Sequence, residues 1–261
     1  MDTLRDHLWL WCHSAGSHNL EWGLPAPSSI TPAQVAVYMG IPNAIMVVYG
    51  GKPEPPFDGP ASEMASLDRV VWSIVGDSSS TRNDEQTDLE EVVRLAGRFP
   101  NIAGAMMDDL FHDPDDKGSI SRFSPEDIAG FQQRLRSQAS PLELWTVAYQ
   151  HDLQRPVRPY FDHVDAVTYW TWHARDIHNI VEKYPLLEEI IPDRKRLLGC
   201  YMWDYGTHAP MPVDMMRFQC ETGLKWLEEG RIQGMIFLAS CVCDLDLEAV
   251  QWTREWIAAN G

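Results

Sequence analysis

Basic residues are scarce in this chain. Only 21 Lys and Arg stand against 38 Asp and Glu, a formal net charge of −17 over 261 residues. A field of that sign repels phosphate backbones and anionic lipid, so neither nucleic acid nor membrane is expected as a partner. Its simplest effect is solubility. No apolar run reaches the ~18 residues of a membrane span. The first residues, Met-Asp-Thr-Leu-Arg-Asp-His, lack the apolar stretch of a secretory leader, so a cytoplasmic location is expected.

Cofactor motifs are missing too. No GxGxxG or GxxxxGK[ST] follows the first strand candidate, which removes the main argument for a nucleotide cofactor. There is no HxH or HExxH. Residues 112–116 (HDPDD) lack the Gly and distal Glu of an EF-hand and read as a solvated acidic loop. The five cysteines (Cys12, Cys200, Cys220, Cys241 and Cys243) include no CxxC pair. Reduced, buried thiols are the expectation. No cofactor and no metal are expected on these grounds.

What the chain does have is a repeated alternation of strand-like and helix-like segments. Strand candidates occupy residues 7–13, 44–49, 69–75, 101–107, 142–149, 166–171, 197–203 and 235–241. Helix candidates include a segment opened by Thr31-Pro32, then 84–99, 124–137, 176–191, 213–229 and 247–259. Two start signals are strong: Thr31-Pro32, and Ser124-Pro125 with Asp127 three residues after the cap. Gly230 stands where a left-handed cap would close the 213–229 helix. Residues 13–31 form a long Pro/Ser/Gly-rich loop, and Pro156 and Pro159 weaken the helix after the fifth strand. Eight strands separated by helices predict an α/β fold, one (β/α)8 TIM barrel filling the chain as a single domain, 1–261. An open doubly wound sheet is the alternative, and it lacks its usual glycine-rich loop.

Active sites of such barrels lie at the C-terminal ends of the strands. Those ends carry His13, Tyr49, Asp77, Asp108 with Asp109, His151, Trp170 with Trp172, and Trp203 with Asp204. The chain has 11 Trp, and several fall there. Flat indole faces suit the C–H faces of sugar rings. His13, Tyr49, Asp77, His151, Trp170, Trp172 and Trp203 are therefore substrate-binding candidates; His173 could share the same mouth. Asp108-Asp109 closes a very apolar strand. Strand alternation predicts one carboxylate in the mouth and the other in the wall or a loop. A desolvated carboxyl can serve as general acid. Asp204, at the end of strand seven, could face the pair across the mouth. Two carboxylates ~5 Å apart suit a covalent route, and ~6.5–9.5 Å suits direct attack by water.

The run Ile102-Ala103-Gly104-Ala105-Met106-Met107-Asp108-Asp109-Leu110-Phe111 resembles the fourth strand of glycoside-hydrolase-like TIM barrels. Several such families carry Asp-Gly-Ile-x-x-Asp-Asp-Tyr/Phe-Phe there. Gly104, Asp108, Asp109 and Phe111 match; Ala103 and Leu110 depart. Acidic residues at strands four and seven are also similar to the large retaining-glycosidase clan. That clan uses Glu at both places, usually after Asn on strand four, and neither feature is present here. The resemblance implies a glycosidic-bond hydrolase with a carbohydrate substrate, with Asp108 or Asp109 and Asp204 as the carboxylate pair. Two alternatives stand beside it. One is a divalent-metal sugar isomerase, epimerase or aldolase, with Asp77, Asp109, His151 and Asp204 as ligands. The other is a non-catalytic sugar-binding barrel.

Overall fold

The computed structural model describes residues 3–83, 87–116 and 118–261. Eight parallel strands close into a barrel: β1 (Leu8–Cys12), β2 (Asn43–Met46), β3 (Arg69–Val75), β4 (Ile102–Met107), β5 (Glu143–Tyr149), β6 (Ala166–Trp170), β7 (Lys195–Tyr201) and β8 (Gly234–Leu238). Neighbours in sequence are neighbours in the ring, and β8 pairs with β1 to complete it. Among the described residues eight α-helices cover the outside: α1 (Pro32–Met39), α2 (Asp58–Glu63), α3 (Leu89–Ala96), α4 (Pro125–Arg136), α5 (Arg158–Phe161), α6 (Ile180–Ile190), α7 (Val213–Glu228) and α8 (Glu248–Asn260). Most strand residues are apolar and buried because parallel strands are covered on both faces; the charged ones, Arg69, Glu143, Lys195 and Arg196, stand at strand starts. This is the expected (β/α)8 fold.

Local signals act as their chemistry dictates. The Thr31 hydroxyl accepts from the Gln34 amide, and Ser124 accepts from Asp127, each completing a capping box before a first-turn proline. Gly230 takes the left-handed conformation just past α7. The helix expected at 84–99 is observed from Leu89 to Ala96; residues 84–86 of that span lie outside the described residues. Pro156 and Pro159 leave only four residues to α5. Expected strands two, seven and eight extend less far toward their C-terminal ends, with β7 ending at Tyr201 and β8 at Leu238. Trp203–Asp204 instead pairs antiparallel with Ala209–Pro210, a small hairpin above the barrel.

The barrel interior is packed with indoles. Trp9 on β1 meets Trp145 on β5 with centroids 4.8 Å apart, and Trp11 meets Trp170 on β6 at 5.1 Å. Such contacts span the ring, so odd-numbered residues of β1 and β5 face inward, and period-two alternation carries that face to His13 and Tyr149. Trp170 fits because β7 has no side chain beside it. A Cβ on Gly199 would lie 2.0 Å from Trp170 Cε3.

Candidate active site

The inward rows end in a cavity of about 110 Å³ at the C-terminal mouth. Trp11, Val147, Trp170 and Leu238 line its base; His13, Tyr49, Asp77, Asp108, Asp109 and Trp172 line it higher up. Seven of the ten site residues expected from sequence thus line one pocket: Asp108 and Asp109 with His13, Tyr49, Asp77, Trp170 and Trp172.

Both adjacent carboxylates reach the cavity, which corrects the expectation that alternation would separate them. The Asp108 amide donates to Val75 O at 2.9 Å and continues the ladder, so Asp108 keeps the inward direction of its strand. Asp109 then takes φ +40°, leaves the ladder and returns its side chain to the same mouth. Its Oδ1 accepts from the Tyr149 hydroxyl at 3.0 Å, and its Oδ2 accepts from the Ser78 amide at 3.0 Å. Left-handed backbone in a non-glycine residue is uncommon, Asp being among the residues that tolerate it.

Asp108 is 5% exposed, and the one hydrogen bond to its carboxylate comes from the Asp109 amide at 2.9 Å among the described residues. Burial pushes its pKa well above the usual carboxylate range, with the charges of Asp109 and Asp77 adding to the effect. Asp77 is buried but occupied. Its Oδ1 accepts from the Gly50 amide at 3.0 Å and from the Ser80 hydroxyl, and its Oδ2 from the Ser79 amide at 3.1 Å. It organises the loops after β2 and β3 while presenting negative charge to Asp108.

The other wall is aromatic. Tyr201 and Tyr205 come from β7 and the segment after it, and Trp22 and His18 come from the long first loop. Trp22 Nε1 donates to the Tyr49 hydroxyl at 2.8 Å, which donates to Glu21 Oε2 at 2.5 Å. His18, Trp22, Tyr149, Tyr201 and Tyr205 were not among the expected binding residues. Tyr149 and Tyr201 were within reach of the period-two rule, since Tyr149 stands two alternate steps from inward Trp145 and Tyr201 one from Gly199, which faces Trp170. Trp22 and His18 carry no local signal, because a loop without periodicity declares no face.

Three expected site residues lie elsewhere. Asp204 is buried in the hairpin turn: Oδ1 accepts from the Gly206 and Thr207 amides at 3.0 and 3.3 Å, and Oδ2 from the Thr207 hydroxyl at 2.6 Å. It does not line the cavity, so the pairing of strand-four and strand-seven carboxylates is revised. The reason is the early end of β7, which turns residues 203–204 into the hairpin. Trp203 is fully buried and donates from Nε1 to Trp22 O at 3.0 Å, so it holds the loop that carries Trp22. His151 stacks on Tyr149 with centroids 5.5 Å apart and lines a neighbouring cleft with His173 and Trp172. The four ligands considered for a divalent ion, Asp77, Asp109, His151 and Asp204, are therefore not brought together.

No protein-family model and no curated protein sequence matches this chain. Solved structures do resemble it. A thermostable xylanase mutant from Cellvibrio japonicus superposes with TM-score 0.62 at 13% identity, covering 99% of this chain and 98% of that one. Xylanase A of P. fluorescens subsp. cellulosa, in complex with xylopentaose, gives 0.59 at 14% identity over 95% and 97%. Active domain 2 of a Pyrococcus furiosus chitinase, complexed with chito-oligosaccharides, gives 0.58 at 11% over 96% and 93%. The likeness is one of fold, shared with glycoside hydrolases.

Proposed function

We propose that this barrel is a carbohydrate-active enzyme that hydrolyses a glycosidic bond at the β4 end of its mouth. The observation that carries the reading is the Asp108–Asp109 arrangement: one desolvated carboxyl with a raised pKa beside a second carboxyl whose two oxygens accept from Tyr149 and Ser78. Environments that differ this much across a pair suit an acid and its charged partner. The fold shared with glycosidases agrees with it.

Asp108 would donate its proton to the glycosidic oxygen as the bond to the leaving group breaks, and would take a proton back from the water that then attacks the anomeric carbon. Asp109 would stabilise the positive charge that develops on the sugar ring. Trp172 and Tyr205 would supply flat faces for the pyranose, and Tyr49 and His13 would meet hydroxyls. All acidic groups lining the cavity among the described residues stand on the β3 and β4 side, so the pair acts from one wall and the aromatic wall holds the ring against it. Asp204 has no part in this scheme.

The test is turnover of a panel of aryl glycosides by wild type, Asp108→Asn and Asp109→Asn, with folding followed by circular dichroism. Asp109→Asn should abolish turnover with the fold intact. Wild-type rates in that variant would sink the assignment. Sugar binding that survives both Asn changes but not Trp172→Ala, with no turnover by any form, would point to a binding barrel instead.

A further inference from the structure

Across the mouth from the carboxylates, three side chains of metal-binding type converge, of which the hydrolytic scheme uses His13 alone, and only as a hydrogen-bonding group. His13 follows β1 on its inward row. Cys241 lies in the 3-10 turn Ser240–Val242, just after β8, the neighbour of β1. His18 comes down from the first loop. One donor atom from each lies within 4.8 Å of the others, and Cys241 Sγ stands 3.9 Å from His13 Nδ1. All three residues are buried, His18 to 2% exposure. Among the described residues this is the one such cluster of His, Cys, Asp and Glu.

We propose that His13, His18 and Cys241 bind one divalent transition-metal ion of the zinc class, with its fourth position open to the mouth cavity. His18 supplies the independent observation. Its Nδ1 is engaged with the Tyr205 hydroxyl at 3.1 Å, while its Nε2 is buried with no hydrogen-bond partner. Buried polar atoms are rarely left so, and an orphaned imidazole nitrogen next to a second imidazole and a thiol is what a metal would satisfy. The Tyr205 contact also matches the usual arrangement in which a ligating His bonds through its other nitrogen to an orienting group.

The donor set selects the ion. Two imidazoles and a thiolate suit zinc, or cobalt as its spectroscopic substitute, better than magnesium or calcium, which take oxygen ligands. Zinc–nitrogen and zinc–sulfur bonds of about 2.0–2.1 and 2.3 Å put tetrahedral donors ~3.3–3.6 Å apart. From donors up to 4.8 Å apart, the cluster has to contract by roughly 1.2–1.5 Å at its widest separation. Both imidazoles are buried, with His13 Nδ1 3.9 Å from Cys241 Sγ, and they would ligate through neutral ring nitrogens. Cys241 would ligate as the thiolate, so its thiol proton has to leave on binding. Binding thus exchanges the thiol proton, released to solvent, for the ion. Three protein ligands leave a position for water or a sugar hydroxyl, the pattern of an open rather than a closed site. His13 and His18 both line the cavity, which puts that position on the substrate side.

The experiment uses the full chain, stripped with a chelator under reducing conditions and titrated with Co²⁺ alone. One equivalent should produce tetrahedral d–d absorption and a thiolate-to-cobalt charge-transfer band, both bleached by one equivalent of Zn²⁺. Cys241→Ser should lose the charge-transfer band, Cys243→Ser should keep it, and His18→Gln should weaken binding at least about tenfold. Wild-type protein with no charge-transfer band would overturn the proposal whatever the variants do. So would a band that survives in Cys241→Ser. Binding that persists in Asp109→Asn, inactive or not, separates this site from the hydrolytic reading.

Discussion

Asp108→Asn tests the electrostatics of the mouth without relying on a known substrate. The carboxyl is 5% exposed, close to Asp109 and Asp77, and its pKa is raised by burial first and by those charges second. The native state therefore holds the proton to higher pH than the unfolded chain does. Below the ordinary carboxylate value of 3.8 both states are protonated and no penalty exists. Above it the unfolded chain ionises first, so the native state binds more protons and stability falls as pH rises. The slope approaches about 1.4 kcal/mol per pH unit and levels off above the native pKa. Asparagine can still accept from the Asp109 amide, does not ionise, and relieves the repulsion with Asp109. The variant should therefore lack this slope and be the more stable protein at neutral pH. Each pH unit of the window lying below the assay pH adds about 1.4 kcal/mol, or ~3–5 °C in Tm for a chain this long. Differential scanning calorimetry of both proteins from pH 4 to 8 measures the difference directly. Parallel Tm–pH curves, or a variant that is less stable at neutral pH, would refute the reasoning. Under the proposed acid role the same change should cost ~10²–10⁴ in kcat. The loss should be smaller for substrates with good leaving groups, which need less protonation.

Other outcomes follow from particular contacts. Tyr149→Phe removes the donor 3.0 Å from Asp109 Oδ1; kcat on any substrate that Asp109→Asn abolishes should drop about tenfold, as expected for one hydrogen bond to a charged group, with KM nearly unchanged. Asp204→Ala deletes three acceptor contacts in the hairpin turn; urea denaturation should show a loss of about 1–3 kcal/mol, while turnover is largely retained. Abolished turnover in a folded Asp204→Ala protein would restore the paired-carboxylate mechanism. Gly199→Ala would place a methyl 2.0 Å from Trp170 Cε3; it should destabilise by about 3 kcal/mol or more and displace Trp170 from the base of the cavity, as a crystal structure would show.

Much of this architecture was legible from patterns along the chain. Eight apolar segments with helical spacers and two capped helix starts require only local chemistry to recognise, and a closed parallel barrel is the arrangement that buries such strands on both faces. The acidic pair was equally plain, because two adjacent carboxylates after six apolar residues have few structural uses. Tertiary structure decided the rest. Asp108 and Asp109 share one cavity only because a left-handed residue breaks alternation, and φ is set by the loop's contacts with Tyr149 and Ser78. Asp204 and Trp203 left the expected site because β7 stops two residues early, a boundary fixed by where pairing with β6 and β8 ends. His18 and Trp22 reach the mouth from a loop with no period to announce its direction. The nearness of His13 to Cys241, 228 positions apart, exists because β8 closes the ring against β1. Residue order determines which strands and helices can form and which faces they bury. Which side chains meet at the mouth depends on ring closure and on where each strand releases its chain, and those are properties of the assembled barrel.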